Sequence, residues 1–168
     1  MKGRDDLDEV LKEYKSRHKV VVAHPRHIPY LAKNIRKEDL LEVSSFGNTA
    51  EEAFRQALQN DESTLTVLDP NNIPYAMFGA GKVGEEIYVW MLGTNDVSKY
   101  KFEFLKRCRE WVWAFVATYG KVFNFVHVDN ELAIKWLAWC NATFSEEFEV
   151  NNEKFKKFTI MKDDIINV

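Results

Sequence analysis

Residues 64–92 read TLTVLDPNNIPYAMFGAGKVGEEIYVWML, a run of β-branched and aromatic residues that turn-forming residues interrupt twice. The turn DPNN separates strands predicted at Thr64–Leu68 and Ile73–Ala80, and a second turn at Gly81–Gly84 precedes a third strand at Glu86–Leu92. Asp, Asn, Pro and Gly favour turns because they fix or tolerate the backbone angles that turns require. The pattern therefore predicts a meander of three antiparallel strands.

The segment before the meander contains one strand and a helical region. A Val-rich strand is predicted at Lys19–His24, where Pro25 ends the run, and a helical stretch follows around Ile28–Val43. Thr49 followed by Glu52 is a capping box, which marks the first turn of a helix because the two residues satisfy each other's free backbone N–H groups. This helix is predicted to end near Asn60.

The segment after the meander begins with a helix that carries a broad apolar stripe and ends at Gly120. A strand, a second helix and a closing hairpin around Asn151 and Asn152 follow. The predicted bounds are Ser98–Tyr119 for the long helix, Val122–Val128 for the strand, Asn130–Asn141 for the helix, and Phe144–Val150 with Lys156–Met161 for the hairpin.

Composition narrows the class of protein. The 168 residues carry a net charge of -3 with scattered Lys and Arg, which does not favour nucleic-acid binding. No apolar run reaches the length of about 20 residues that a membrane span needs, and no signal segment is present, so we expect a soluble, unprocessed chain without a membrane partner. Cys108 and Cys140 lie in apolar helical patterns, which predicts buried free thiols in a reducing compartment.

Two units are predicted along the chain. Residues 1–18 place Leu7, Val10, Leu11 and Tyr14 at helical spacing, which predicts an N-terminal amphipathic helix. Residues 19–168 form the domain proper. The order of its elements, over residues 19–162, resembles the GNAT acyl-CoA N-acyltransferase fold. This resemblance implies an α/β (α+β) domain with a mixed, mostly antiparallel sheet of six to seven strands and helices on both faces.

A second resemblance lies in residues 119–162, YGKVFNFVHVDNELAIKWLAWCNATFSEEFEVNNEKFKKFTIMK. This stretch resembles the C-terminal half of the internal virion protein A family of short-tailed phages, whose members are described as acetyltransferase-like. The matched features are the strand end at Val126–Asn130, the helix residues Ile134 and Leu137, and the acidic, aromatic hairpin from Phe144 to Phe158 and Ile160. The resemblance implies a bacteriophage protein.

The GNAT resemblance implies where acetyl-CoA would bind. In that fold a helix N-terminus binds the pyrophosphate through unpaired backbone N–H groups and the helix dipole. The corresponding loop here is Gly93–Lys101, which carries one glycine where active members carry two, and Asp96 adds a negative charge. If acyl-CoA binds, its candidate contacts are Met91, Leu92, Gly93, Thr94, Ser98 and Asn130. Residues of this loop are equally suited to capping the long helix.

Catalytic residues are poorly represented. The position where active GNAT members carry a Tyr as general acid is Leu137, which cannot donate a proton. The candidate general bases are His24, beside the expected acceptor site, and Glu86, at the edge of a strand. His127 is predicted to be a hydrogen-bonded structural residue. No His or Cys spacing is typical of a metal site, and no Ser, His and Asp arrangement indicates a hydrolase.

Three functional hypotheses follow. The first is a non-catalytic GNAT-like phage protein, in the virion or the host cytoplasm, that binds another virion or host protein, with a homo-oligomer as a further expectation. High aromatic content supports it, since Trp111 and Trp113 point about 200° apart on one helix and Trp136 and Trp139 lie three residues apart on another. One or two of them are expected to be exposed, which favours a protein interface, and core packing is the alternative for each. The second is an active acetyl-CoA-dependent N-acetyltransferase acting on an amine of a protein or small molecule. The third is an inhibitor of a host protein.

Overall fold

The computed structural model describes residues 18–163, apart from the side chains of residues 102 and 103. The helix predicted at residues 1–18 lies outside the described residues, except for His18. The elements, in chain order, are β1 (Lys19–Val22), a 3-10 turn (Pro25–His27), α1 (Ile28–Lys33), α2 (Lys37–Ser45), α3 (Ala50–Asn60), β2 (Ser63–Leu68), β3 (Pro74–Val83), β4 (Glu86–Gly93), α4 (Asp96–Lys99), α5 (Lys101–Tyr119), β5 (Lys121–His127), α6 (Glu131–Trp139), β6 (Thr143–Phe144), β7 (Phe148–Val150) and β8 (Glu153–Met161).

One mixed sheet of eight strands organises the domain, with the order β1-β2-β3-β4-β5-β8-β6 and β7 paired with β8. Every pairing is antiparallel except that of β4 with β5, which is parallel and aligns Tyr88 with Phe123. Beyond that pair of residues the two strands diverge. The centre of the sheet therefore contains a cleft between the carboxyl ends of β4 and β5.

Helices cover both faces of the sheet, as the GNAT resemblance implied. On one face the main core includes Phe78, Val89, Cys108, Val122 and Trp136, contributed by the sheet and by α5 and α6. On the other face a smaller core joins α1, α2 and α3 to the sheet; its buried members are Ile28, Leu31, Val43, Phe54, Met77 and Leu92. The two layers place the β4–β5 cleft between helices from opposite faces.

The predicted meander is confirmed, but its second turn was placed too early. β3 continues to Val83, and the turn lies at Gly84, whose φ of +59° favours glycine. Gly81 belongs to the strand and faces Tyr88 on β4, and a side chain at Gly81 would collide with the Tyr88 ring and with Asp61. Gly81 is therefore required for close packing and does not form a turn.

Two predicted helices are divided in the structure. The stretch Ile28–Val43 separates into α1 and α2 because residues between them become extended, with Ile35 bridged to Thr94. The long helix is interrupted at Tyr100, which packs against His18 and Tyr75. Both interruptions depend on contacts with residues distant in sequence, which helical periodicity does not report.

Other local predictions are confirmed. The Thr49 hydroxyl accepts a hydrogen bond from the backbone N–H of Glu52 at 3.2 Å, and the Glu52 carboxylate accepts one from that of Thr49 at 3.0 Å. The closing hairpin turns at Asn151 and Asn152, both with positive φ, although its first strand is divided into β6 and β7. Cys108 and Cys140 are buried and free. In the part of the chain described, no helix has the length and apolarity needed to cross a bilayer.

Candidate functional site

A cavity of about 360 Å³ lies at the cleft between β4 and β5. Its walls come from both diverging strands, from α2 and the end of α3 on one face, and from α5 and α6 on the other. Three carboxyl groups line it, those of Asp39, Glu42 and Asp61, and one guanidinium, that of Arg36. The remaining lining is largely aromatic and aliphatic, so the cavity combines an apolar wall with an excess of acidic groups.

On the β4 side of the cleft, α2 and the residue before it bind the strand backbone. The N–H of Gly93 donates to Asp39 Oδ2 at 2.8 Å, and the carbonyl of Gly93 accepts from the N–H of Arg36 at 2.8 Å. The carbonyl of Val89 accepts from the Asn124 side chain at 2.7 Å. Successive residues of a strand point their backbone N–H and carbonyl groups to opposite sides. Met91 lies two residues from both Val89 and Gly93, so its N–H and carbonyl point into the same cleft.

On the β5 side, Glu42 and Asn124 perform the same role. Glu42 Oε1 accepts from the N–H of His127 and from the Asn130 side chain, both at 3.2 Å. The N–H of Phe125 donates to Asn124 Oδ1 at 2.8 Å. We call Asp39 and Glu42, one turn apart on α2, the carboxylate plug, because the two side chains occupy backbone donors on the two sides of the cleft.

Burial raises the pKa values of the two carboxyl groups of the plug. Asp39 is 3 % exposed, and desolvation raises its pKa from 3.8 to about 7, although Arg36 and the Gly93 N–H both favour the charged form. Arg36 Nη1 lies 3.7 Å from Asp39 Oδ1, while Arg36 Nη2 is also within 3.6 Å of Glu38. Desolvation likewise raises the pKa of Glu42, against the hydrogen bonds that it accepts. The plug therefore holds acidic groups that are easily protonated.

A second hydrogen-bonded group lies where α3 ends. Asp61 Oδ1 accepts from the Tyr88 hydroxyl at 2.5 Å, and Oδ2 accepts from the Trp90 indole at 2.6 Å. Tyr88 and Trp90 are alternate residues of β4 and so point to one face. Desolvation raises the pKa of Asp61, and desolvation together with Asp61 raises the pKa of Tyr88. Sequence reasoning missed this group, because Asp61 reads as an ordinary residue after a helix.

Comparison with known proteins shows the family. Residues 64–149, 86 of the chain's 168, match the family described as "Bacteriophage T7, probable scaffold protein Gp13". The chain belongs to this phage protein family. The predicted phage origin is thereby confirmed, while the narrower likeness to internal virion protein A stays a prediction. No curated protein sequence matches the chain.

Solved structures show the fold of this phage-family protein. The spermidine N-acetyltransferase from Vibrio cholerae, solved with CoA and spermine, has a TM-score of 0.66 at 11% identity and covers 90% of this chain and 99% of its own. A GNAT-family acetyltransferase from Bacillus anthracis has a TM-score of 0.65 at 11% identity, with 88% and 96% covered. The predicted GNAT fold is confirmed, and at this identity the likeness extends to the fold alone.

The phage-family protein brings only part of the predicted cofactor site to the cavity. Met91, Leu92 and Asn130 line it, as does Leu137, at the position where the GNAT resemblance implies a general acid. Gly93, Thr94 and Ser98 are not part of the cavity lining, and their N–H groups already bond to Asp39, to the Tyr75 carbonyl and to the Asn95 carbonyl. The Thr94 hydroxyl accepts a hydrogen bond from the Asp96 N–H at 3.3 Å, just before α4, but the N-cap residues of α4 and of the long helix α5 make no side-chain cap.

The two predicted bases lie away from the cavity. His24 is exposed and accepts from the Arg26 N–H at 3.0 Å, and Glu86 is exposed at the opposite end of β4 from Gly93, 3.9 Å from Lys157. Their catalytic roles stay predictions. His127 is buried and hydrogen-bonded to Glu153 at 2.6 Å, as predicted for a structural residue. Among the described residues, no cluster of His, Cys, Asp or Glu is suited to a metal ion.

Proposed function

We propose that this phage protein is a non-catalytic assembly or host-interaction component that keeps the GNAT fold without a working acyl-CoA site. The observation that carries the proposal is the carboxylate plug, because Asp39 and Glu42 bind the backbone N–H groups of Gly93 and His127 at the cleft. The family's description as a probable scaffold protein supports the structural role. The partner is another virion or host protein, in the particle or in the infected cell.

The plug competes directly with a ligand for the cleft. The GNAT resemblance implies that acyl-CoA is held by strand-edge backbone and by a helix N-terminus. Here the N–H groups of Gly93 and His127 are bonded to the plug, and those of Thr94 and Ser98 are bonded to backbone carbonyls, while the Met91 N–H still points into the cleft. Removing a buried carboxyl group from its donors leaves unsatisfied groups on both sides, at a cost of about 1–3 kcal/mol for each group. Asp96 in the first turn of α4 adds repulsion to a bound phosphate.

A second candidate function is acetyl-CoA-dependent transfer of an acetyl group to an amine. The observation that favours it is Asp39, which lines the cavity and has a pKa raised to about 7, near the value best suited to a general base at neutral pH. The N–H and carbonyl of Met91 also point into the cleft. Against it stand the hydrogen bond that holds Asp39 to Gly93 and the absence of an acid at Leu137.

Isothermal titration calorimetry with acetyl-CoA and with CoA tests the proposal. The Vibrio cholerae spermidine N-acetyltransferase, which was solved with CoA, serves as the positive control. We expect no saturable heat from the phage protein at about 1 mM ligand. Saturable binding near about 1 µM would refute the proposal and favour the acetyltransferase, and release of free CoA thiol with a panel of amines would then identify the acceptor.

A large side chain at Gly93 would not test the candidate site alone. A β-carbon at Gly93 would lie 2.5 Å from Val97 Cγ2, so substitution disturbs the packing of α4 against β4 as well as any ligand site. The double variant that combines Asp39→Ala with Glu42→Ala tests the plug more directly. If these substitutions, with folding verified, give CoA binding that the wild type lacks, the plug is the element that closes the site.

A further inference from the structure

An aromatic and cationic cluster lies on α5 and α6, outside the cavity. The guanidinium of Arg109 is stacked between the indole rings of Trp113 and Trp139, 4.0 Å from the centroid of each. Trp113 is held in place by its N–H, which donates to the Cys140 carbonyl at 3.3 Å, while Trp139 is 45% exposed. Two cation–π contacts therefore fix the orientation of a partly exposed Arg side chain.

Arg109 has hydrogen-bonding capacity that the described residues do not use. Its Nε is buried and has no hydrogen-bond partner, the single side-chain atom of this kind found among residues 18–163. No carboxylate of the same described range forms an ion pair with Arg109. Because both indole rings pack against the guanidinium, its N–H edge is the part left for an acceptor. That edge is the geometry in which Arg binds a carboxylate with two hydrogen bonds.

Further positive charge surrounds this edge. Lys106 lies three residues before Arg109 on α5, and Lys135 lies four residues before Trp139 on α6, so each shares a helix face with its neighbour. Both lysines are exposed. Glu110, one residue after Arg109, points about 100° away from Arg109 around the helix, although it lies four residues after Lys106 and shares a helix face with that lysine. We call Lys106, Arg109, Trp113, Lys135 and Trp139 the α5–α6 patch.

The same chain contains a segment of complementary charge. Residues 145–149 read SEEFE; they comprise the connection from β6 to β7 and the first two residues of β7, and Glu146, Glu147 and Glu149 are exposed. None of the three forms an ion pair with any described residue, and this includes the residues of the α5–α6 patch in the same chain. We call these three glutamates the acidic segment.

We propose that the α5–α6 patch of one copy of this chain binds the acidic segment of a second copy, with a carboxylate of that segment on the Arg109 guanidinium. Because the two surfaces differ, the contact is heterologous, and repetition produces a closed ring or an open filament instead of a two-fold dimer. The association depends on charge and is weakened by salt. It does not depend on whether acyl-CoA binds, and so it stands apart from the proposed function.

Sedimentation velocity of the purified full-length chain tests this contact. At about 100 µM protein and about 50 mM salt we expect oligomers, which dissociate toward the monomer at about 500 mM salt. Arg109→Glu with Lys106→Glu reverses the patch, and Glu146→Lys with Glu147→Lys reverses the segment. Each double variant alone is expected to weaken association at least about tenfold. Lys33→Glu, an exposed position on α1, is the matched control and should associate like the wild type.

Mixing the two double variants is the decisive step. The reversed patch of one then faces the reversed segment of the other, and the two unchanged surfaces also match, so the equimolar mixture should associate again. If the patch variant fails to fold, the association of the segment variant still tests the proposal, because its substitutions are fully on the surface. A monomeric wild type at low salt, association that both double variants retain, or a mixture that stays monomeric would each overturn the proposal.

Discussion

Replacing Asp39 by Asn should change how the stability of the protein depends on pH. Asp39 is 3 % exposed, and its pKa is raised from 3.8 in the unfolded chain to about 7 in the folded protein, chiefly by desolvation. The folded state therefore binds a proton that the unfolded state has already released. Stability from this group is fully present below about pH 4 and is lost as pH rises through about pH 7.

The size of the effect follows from the shift. A difference of about three pKa units corresponds to roughly 4 kcal/mol between the two ends of the window. Asn cannot titrate, and its amide oxygen can still accept from the Gly93 N–H. We therefore expect Asp39→Asn to be more stable than the wild type at pH 8. Its free energy of unfolding should fall much less between pH 5 and pH 8 than that of the wild type. Glu42 and Asp61, whose pKa values are also raised, leave a residual slope.

Urea denaturation at pH 5 and pH 8, followed by tryptophan fluorescence, measures both free energies of unfolding. Glu62→Gln, an exposed substitution of the same kind, is the control and should lie within about 0.5 kcal/mol of the wild type at both pH values. Asp39→Leu separates charge from hydrogen bonding, since it leaves the Gly93 N–H unpaired and should be less stable than Asp39→Asn at both values. A pH dependence that Asp39→Asn leaves unchanged would show that Arg36 keeps Asp39 charged, and the reasoning would be wrong.

Three further outcomes can be measured by standard means. Thr49→Ala removes the hydroxyl that caps α3 and should lower the free energy of unfolding by about 1 kcal/mol in urea denaturation, an effect absent if the cap contributes nothing. Tyr88→Phe leaves Asp61 Oδ1 without its phenolic donor and should cost about 1–3 kcal/mol at pH 8 by the same assay. Burial raises the pKa of both thiols, that of Cys140 to about 12, so neither Cys108 nor Cys140 should react with Ellman's reagent until the protein unfolds; rapid native labelling would contradict this.

Much of the fold is encoded locally and was predictable for that reason. The capping box at Thr49, the turn between β2 and β3, and the Asn pair at residues 151 and 152 each act through neighbours a few residues apart. The predictions that were wrong concern residues whose roles depend on partners distant in sequence. Gly81 looked like a turn residue, but its role depends on Tyr88 across the strand pair and on Asp61.

The candidate site was predicted far less well than the fold. Asp39 and Glu42 lie in the segment KEDLLEVSS, where charged residues on a helix indicate a solvent-exposed face. Their partners, Gly93 and His127, are 54 and 85 residues further along the chain. No periodicity connects residues at that separation. That the loop after β4 and the Leu137 position lack the features of an active GNAT member stays a prediction.

The choice of carboxylates for the plug has a physical reason. Diverging strands at the centre of a sheet leave backbone N–H groups without partners, and a buried unpaired donor costs about 1–3 kcal/mol whether or not a ligand ever binds. A chain that keeps this fold without a ligand in the cleft therefore needs acceptors of its own there. Apolar side chains fill volume but accept no hydrogen bond. Asp39 and Glu42 satisfy the donors at the expense of desolvation, and their raised pKa values record that expense, which is why the pH dependence of stability reports directly on the plug.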